Sequence, residues 1–197
     1  MVWNTPNLLT LLRIVLIPVF VVAYYLPVAW APLLATALFV LAALTDWLDG
    51  YLARRLNQTS AFGAFLDPVA DKLMVTSALV LLAADPEIRV RVLDERLFAV
   101  VVIIIISREI TVSALREWMA ELGKRASVAV SFIGKFKTGS QMLAIPFLLY
   151  QQSLMGLPVF KIGEFLLYLA AALTLWSMLA YLKAAWPTLM DSGPRQP

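Results

Sequence analysis

The sequence contains no cysteine and no histidine. Without thiols there can be no disulfide, thiolate-bound zinc or cysteine nucleophile; without imidazole there can be no Ser-His-Asp triad or His-based phospholipase chemistry. Charge is scarce as well, at 15% of 197 residues, where a soluble domain carries about 25%. Any chemistry must therefore come from carboxylates, Lys, Arg or hydroxyls. What fills the chain instead is apolar: 61% of residues are hydrophobic and the mean hydropathy is +0.83, the composition of an integral membrane protein. A span takes about 20 apolar residues, so the length has room for about six helices and nothing for a separate soluble domain. A single membrane domain over residues 1–197 is expected. The net charge of +3 is read as basic loops beside anionic lipid; membrane lipid is the expected partner, and nucleic acid is not.

Residues 1–7 have neither a basic leader nor a small-residue cleavage site, so the apolar run behind them is expected to stay in the mature protein. Asn4 or Thr5 can cap a first helix with Pro6 in its opening turn, and the uncharged stretch 14–45 holds two spans, with Pro27, Ala31 and Pro32 marking the turn. Further spans are expected near 65–84, 97–118, 138–150 with an extension, and 165–182. The predicted fold class is all-α, a polytopic membrane protein with a bundle of six transmembrane helices. Segment 116–137 carries Arg116, Lys124, Arg125, Lys135 and Lys137 against Glu117 and Glu121, a basic excess that should face the cytoplasm; segment 85–96 is slightly acidic and should lie outside. Six spans then place both termini on the cytoplasmic side.

The chemistry gathers between the second and third spans: Asp46-Trp47-Leu48-Asp49-Gly50-Tyr51-Leu52-Ala53-Arg54, then Gly63, Asp67 and Asp71. Four aspartates stand where membrane energetics would otherwise demand apolar residues. At about 100° per residue, Asp46, Asp49, Gly50 and Ala53 share one helix face with Arg54 at its edge, and Gly63, Asp67 and Asp71 share one face of the next helix. A short connection makes these helices antiparallel neighbours, so the carboxylates can converge, and the small residues leave room for another molecule. Four carboxylates repel unless cations neutralise them. Oxygen-only ligands select hard divalent ions, Mg²⁺ or Mn²⁺, and two such ions would balance four charges while bridging a diphosphate. The competing reading is that the aspartates pair with Arg54, Arg55 and Lys72 at a helix interface, while Gly63 and Pro68 serve only as a packing residue and a kink. Four aspartates in register favour the ligand reading.

These residues match Asp-x2-Asp-Gly-x2-Ala-Arg-x8-Gly-x3-Asp-x3-Asp at all eight fixed positions, so the chain resembles the CDP-alcohol phosphatidyltransferase family. The resemblance implies a homodimeric enzyme that moves a phosphatidyl group from CDP-diacylglycerol to an alcohol, releases CMP and works with two divalent cations. It further implies that Asp46, Asp49, Asp67 and Asp71 are metal ligands and that Asp71 is also the general base. By the same resemblance Asp46, Asp49, Gly50, Ala53, Arg54, Gly63 and Asp67 line the CDP site.

The acceptor must be read elsewhere, because the signature concerns the shared donor. The opening 6–13 and the segments 107–125 and 134–138 are similar to a bacterial branch of the family whose acceptor is sn-glycerol 3-phosphate, which implies a bacterial inner membrane with the active site facing the cytoplasm. The residues point the same way. Arg108 lies inside an apolar helix and must meet an anion there; Arg116 is eight residues on, on roughly the same face, and Lys135 and Lys137 enter the next helix. Together they could bind an acceptor phosphate. Alternatively Arg108 only pairs with Glu109 or an aspartate. Lys124 and Arg125 suit lipid headgroups, and Trp3, Trp30, Trp118 and Trp186 suit membrane interfaces. Two rival functions are the same donor with inositol phosphate or phosphatidylglycerol as acceptor, and a divalent-cation transporter. The aspartates cluster at one depth, which disfavours a transport pathway.

Overall fold

In a bilayer the backbone must satisfy its own polar groups, which leaves helices as the answer for apolar runs of this kind. The computed structural model describes residues 5–55, 61–121 and 132–190. Among them are seven helices: α1 Thr5–Tyr24, α2 Ala31–Arg55, α3 Ala61–Ala84, α4 Pro86–Arg91, α5 Glu95–Glu121, α6 Phe132–Tyr150 and α7 Val159–Met190. Four hold stretches long and apolar enough to cross a membrane: Asn7–Tyr24, Ala31–Tyr51, Glu95–Met119 and Val159–Leu179. The protein is a multi-pass membrane protein with helical spans. The two other long helices, α3 and α6, carry Asp67, Asp71 and Lys72, and Lys135 and Lys137, respectively.

Several boundaries differ from the sequence expectation. Ala31 and Pro32 belong to the first turn of α2, where a missing proline N–H leaves no intrahelical bond unmade. The extension of the fifth span lies on its N-terminal side, from Phe132. Segment 85–96 is not all loop, because α4 forms within it. Asp85 caps α4 by accepting from the Glu87 N–H at 2.8 Å, with Pro86 opening the helix, a start signal visible in the sequence but passed over. Trp30 and Trp186 are exposed as interface residues should be, whereas Trp118 is half-buried against the Val112 and Met119 cluster; Trp3 lies outside the described residues.

The packing decides how the site is assembled. α1 lies against both α2 and α3, while α2 and α3 touch each other only sparsely, so α1 joins the two helices that were expected to bring the carboxylates together by themselves. On the other side α7 packs on α5 and α6. Its Gly163 comes so close to α6 that an added Cβ would stand 2.8 Å from the Phe147 Cβ and 3.0 Å from the Ala144 carbonyl oxygen, a close helix approach that only a small residue permits. Phe20, Phe39, Leu79, Phe98 and Leu148 fill the core between these helices. Leu12, Val15, Leu44, Phe165 and Trp176 point outward, as suits lipid-facing positions. At the end away from the aspartates, buried Glu164 accepts from the Leu93 N–H at 2.5 Å, Lys161 at 2.9 Å and Tyr168 at 2.9 Å, which pins the start of α5 to α7.

Candidate active site

Three helices build the acidic site, and one of them was not foreseen. α2 presents Asp46 and Asp49 one turn apart, α3 presents Asp67 and Asp71 one turn apart, and α1 lays a polar stripe, Asn7, Thr10 and Arg13, between them. All three stripe residues are buried. The Arg13 guanidinium is forked across the α2 turn: its Nη1 donates to Asp46 Oδ1 at 2.6 Å and its Nη2 donates to Asp49 Oδ2. One turn earlier the Thr10 hydroxyl donates to Asp67 Oδ1 at 2.6 Å. α1 therefore gives a cation to one carboxylate pair and a neutral hydroxyl to the other. Asp49 lies within electrostatic reach of Asp46 and Asp67, and Asp71 within reach of Asp46, Arg13, Lys72 and Glu109.

Asp71 is exposed and joins this cluster to a cavity of about 500 Å³, a volume in the small-molecule range, whose wall also includes Lys72, Arg108, Glu109, Ser113 and Glu117. The cavity charge is mixed and internally paired. Lys72 donates to the Ser113 hydroxyl, Arg108 stands 3.6 Å from Glu109 and 3.5 Å from the Ser177 hydroxyl, and Lys137, buried from α6, forms an ion pair with the same Glu109. Glu109 thus draws Arg108 and Lys137 together. Arg108 lines the cavity; Lys137 sits behind it. A larger hollow of about 750 Å³ lies at the other end of the bundle, around Tyr24, Asp85 and Gln151, away from every aspartate of the cluster.

A family model for CDP-alcohol phosphatidyltransferases matches residues 3–176. The chain belongs to the CDP-alcohol phosphatidyltransferase family. Its curated relatives include the CDP-diacylglycerol–glycerol-3-phosphate 3-phosphatidyltransferases of Pectobacterium atrosepticum, 54% identical, and of Salmonella typhimurium and Shigella flexneri, each 52% identical. Each alignment covers 97% of this chain and all of the relative.

CDP-alcohol phosphatidyltransferases work with divalent cations, and the residues here fit that requirement chemically: four carboxylates supply oxygen-only donors from two adjacent helix turns. Among the described residues no three carboxylates are gathered at ligand distance, and the Arg13 fork holds Asp46 and Asp49. Two of the three pairing partners weighed from sequence for these aspartates turn elsewhere. Arg55 turns outward, donating to the Tyr51 hydroxyl at 3.0 Å, and Lys72 turns to Ser113. Gly50 is half-buried beside Asp49 in α2, and Gly63 is buried at the start of α3. Ala53 and Arg54 fall in α2, Arg116 in α5 and Lys135 in α6, with side chains outside the described part.

Sequence reasoning missed Arg13 and Thr10, although a signal was present. Arg13 is the one charge in the apolar run 7–24, and the argument that forces Arg108 to find an anion applies to it equally. Glu109 was seen as a possible partner of Arg108, but its second cation, Lys137, comes from a different helix.

Proposed function

We propose that the chain transfers the phosphatidyl group of CDP-diacylglycerol to sn-glycerol 3-phosphate, giving phosphatidylglycerophosphate and CMP in anionic phospholipid synthesis. The observation that carries this reading is Asp71, which stands at once in the aspartate cluster and on the wall of a cavity that holds Arg108 and Lys72. Full-length likeness to enzymes named for this donor and acceptor supports it.

In this reading Asp46, Asp49, Asp67 and Asp71 would hold two divalent cations, Mg²⁺ or Mn²⁺, whose positive charge would offset that of the diphosphate. Gly50, Ala53, Arg54 and Gly63 make room for and contact the CDP portion. The acceptor's 1-hydroxyl attacks the β-phosphorus; a new P–O bond forms, the bridging P–O bond to CMP breaks, and the hydroxyl proton passes to the Asp71 carboxylate. Arg108, aided by Arg116, Lys135 and Lys137, holds the acceptor phosphate and so fixes the direction of attack. CMP release by purified protein, measured with CDP-diacylglycerol plus glycerol 3-phosphate, inositol phosphate or phosphatidylglycerol, tests the assignment; release that does not need glycerol 3-phosphate would refute it.

Arg108 makes a sharper test of the acceptor site. At rest it faces Glu109, which an incoming phosphate dianion can outcompete, since a guanidinium grips two phosphate oxygens at once. Arg108→Lys is therefore expected to raise the KM for glycerol 3-phosphate about tenfold or more, with little change in the KM for CDP-diacylglycerol. If Arg108 served only to neutralise Glu109, the variant would lose thermal stability and shift both substrates' kinetics together.

The same reading places the chain as one membrane domain over residues 1–197, with six spans, in the bacterial inner membrane. Both termini and the active site face the cytoplasm, and two copies form a homodimer. The native chain has no thiol, so a Lys124→Cys variant should label only from the cytoplasmic side; labelling from outside intact cells would overturn this orientation.

A further inference from the structure

Among the described residues Arg13 is the largest fully buried side chain, at 1% exposure, and it stands in the acidic site. A buried guanidinium cation is tolerated only while its anions stay with it. Both anions are aspartates of the signature. The fork takes one oxygen from Asp46 and one from Asp49, so a cation bound by those carboxylates would sit within a few ångströms of a fixed positive charge of like sign. Asp67 accepts from the Thr10 hydroxyl of α1, a neutral partner that raises no such conflict. Among the described residues the Arg13 Nε–H, also buried, has no hydrogen-bond partner. Beside Arg13 lies a void of about 10 Å³ that Asp71 also lines, so the head group has an unused donor and another carboxylate nearby.

These observations describe a site already closed by the protein's own charge. We propose that Arg13 is an internal counter-cation: it holds Asp46 and Asp49 together in the metal-free protein and gives them up in exchange for a divalent cation. The inference rests on the reading of the aspartates as a cation site, and adds that α1 sets how tightly that site binds. A ligand and an internal group that compete for the same carboxylates oppose each other by linkage, so removing the internal group must tighten the ligand.

The test uses the full-length protein in lipid nanodiscs, with Mn²⁺ alone as the probe, read by loss of the free-ion paramagnetic signal and by thermal unfolding in chelator or in Mn²⁺. Arg13→Gln should bind Mn²⁺ about tenfold or more tightly than the parent protein. In chelator it should unfold at a lower temperature, because Asp46 and Asp49 are left to repel each other, and saturating Mn²⁺ should close most of that gap. Arg13→Lys keeps one positive charge but cannot span both carboxylates, so its gain in affinity should be smaller, a few-fold; it decides the matter if Arg13→Gln does not fold. Folded Arg13 variants that bind Mn²⁺ no more tightly than the parent, while Asp46→Asn and Asp49→Asn lose the ion, would overturn the exchange and leave the cation site standing. If the parent bound no Mn²⁺, or bound it unchanged in both aspartate variants, the cation site itself would fall and the exchange with it.

Discussion

Asp71→Asn is expected to lower kcat by about 10²–10⁴-fold, the range that a positioned general base supplies, while binding of CDP-diacylglycerol stays measurable. The substitution keeps size and one neutral oxygen but removes the proton acceptor. Asp71 is the suitable aspartate for this role on geometric grounds. It is exposed on the cavity wall beside Lys72 and Arg108, where an acceptor can reach it, whereas Asp49 is buried under the Arg13 fork. Single-turnover CMP release and a separate binding measurement check the two halves of the expectation. A variant that kept most of its kcat would take the general-base role away from Asp71 and leave it as a ligand at most.

The second large effect falls on the α2 pair. Asp46→Asn and Asp49→Asn should each lose divalent-cation binding and, with it, the donor. They should differ in stability. The Asp49 side chain is 4% exposed and that of Asp46 46%, so the Arg13–Asp49 pair is buried and the Arg13–Asp46 pair reaches solvent. Removing one partner of a buried pair costs about 3–5 kcal/mol because the remaining charge is stranded. Much less is lost where water can replace the partner. In chelator, Asp49→Asn should therefore unfold well below Asp46→Asn. Equal melting temperatures would mean that Asp49 is not the main anchor of Arg13.

The acidic signature was legible because its spacing is local. Asp46 and Asp49, and Asp67 and Asp71, lie one helical turn apart, so the helix itself puts each pair on one face whatever the surroundings. Membrane energetics then made four such aspartates conspicuous. The long helices were legible for a similar reason, since an apolar run of span length has few alternatives to a helix. Helix ends were read less well. α4 was missed although Asp85-Pro86 announces it, and the fifth span, expected over 138–150 with an extension of unstated direction, begins at Phe132, so that Lys135 and Lys137 lie within α6.

Composition and helical periodicity thus determined the class of the protein, its helices and the faces that carry the carboxylates. The tertiary structure alone decided which cation meets them. Arg13 reaches Asp46 and Asp49 across 33 and 36 positions of sequence, Thr10 reaches Asp67 across 57, and Lys137 reaches Glu109 across 28. A buried charge in an apolar helix announces that it needs a partner, but not which one. The choice depends on which helices pack together and at what depth, and here it followed from α1 lying against both α2 and α3, an outcome of side-chain packing over the whole bundle that no local pattern encodes.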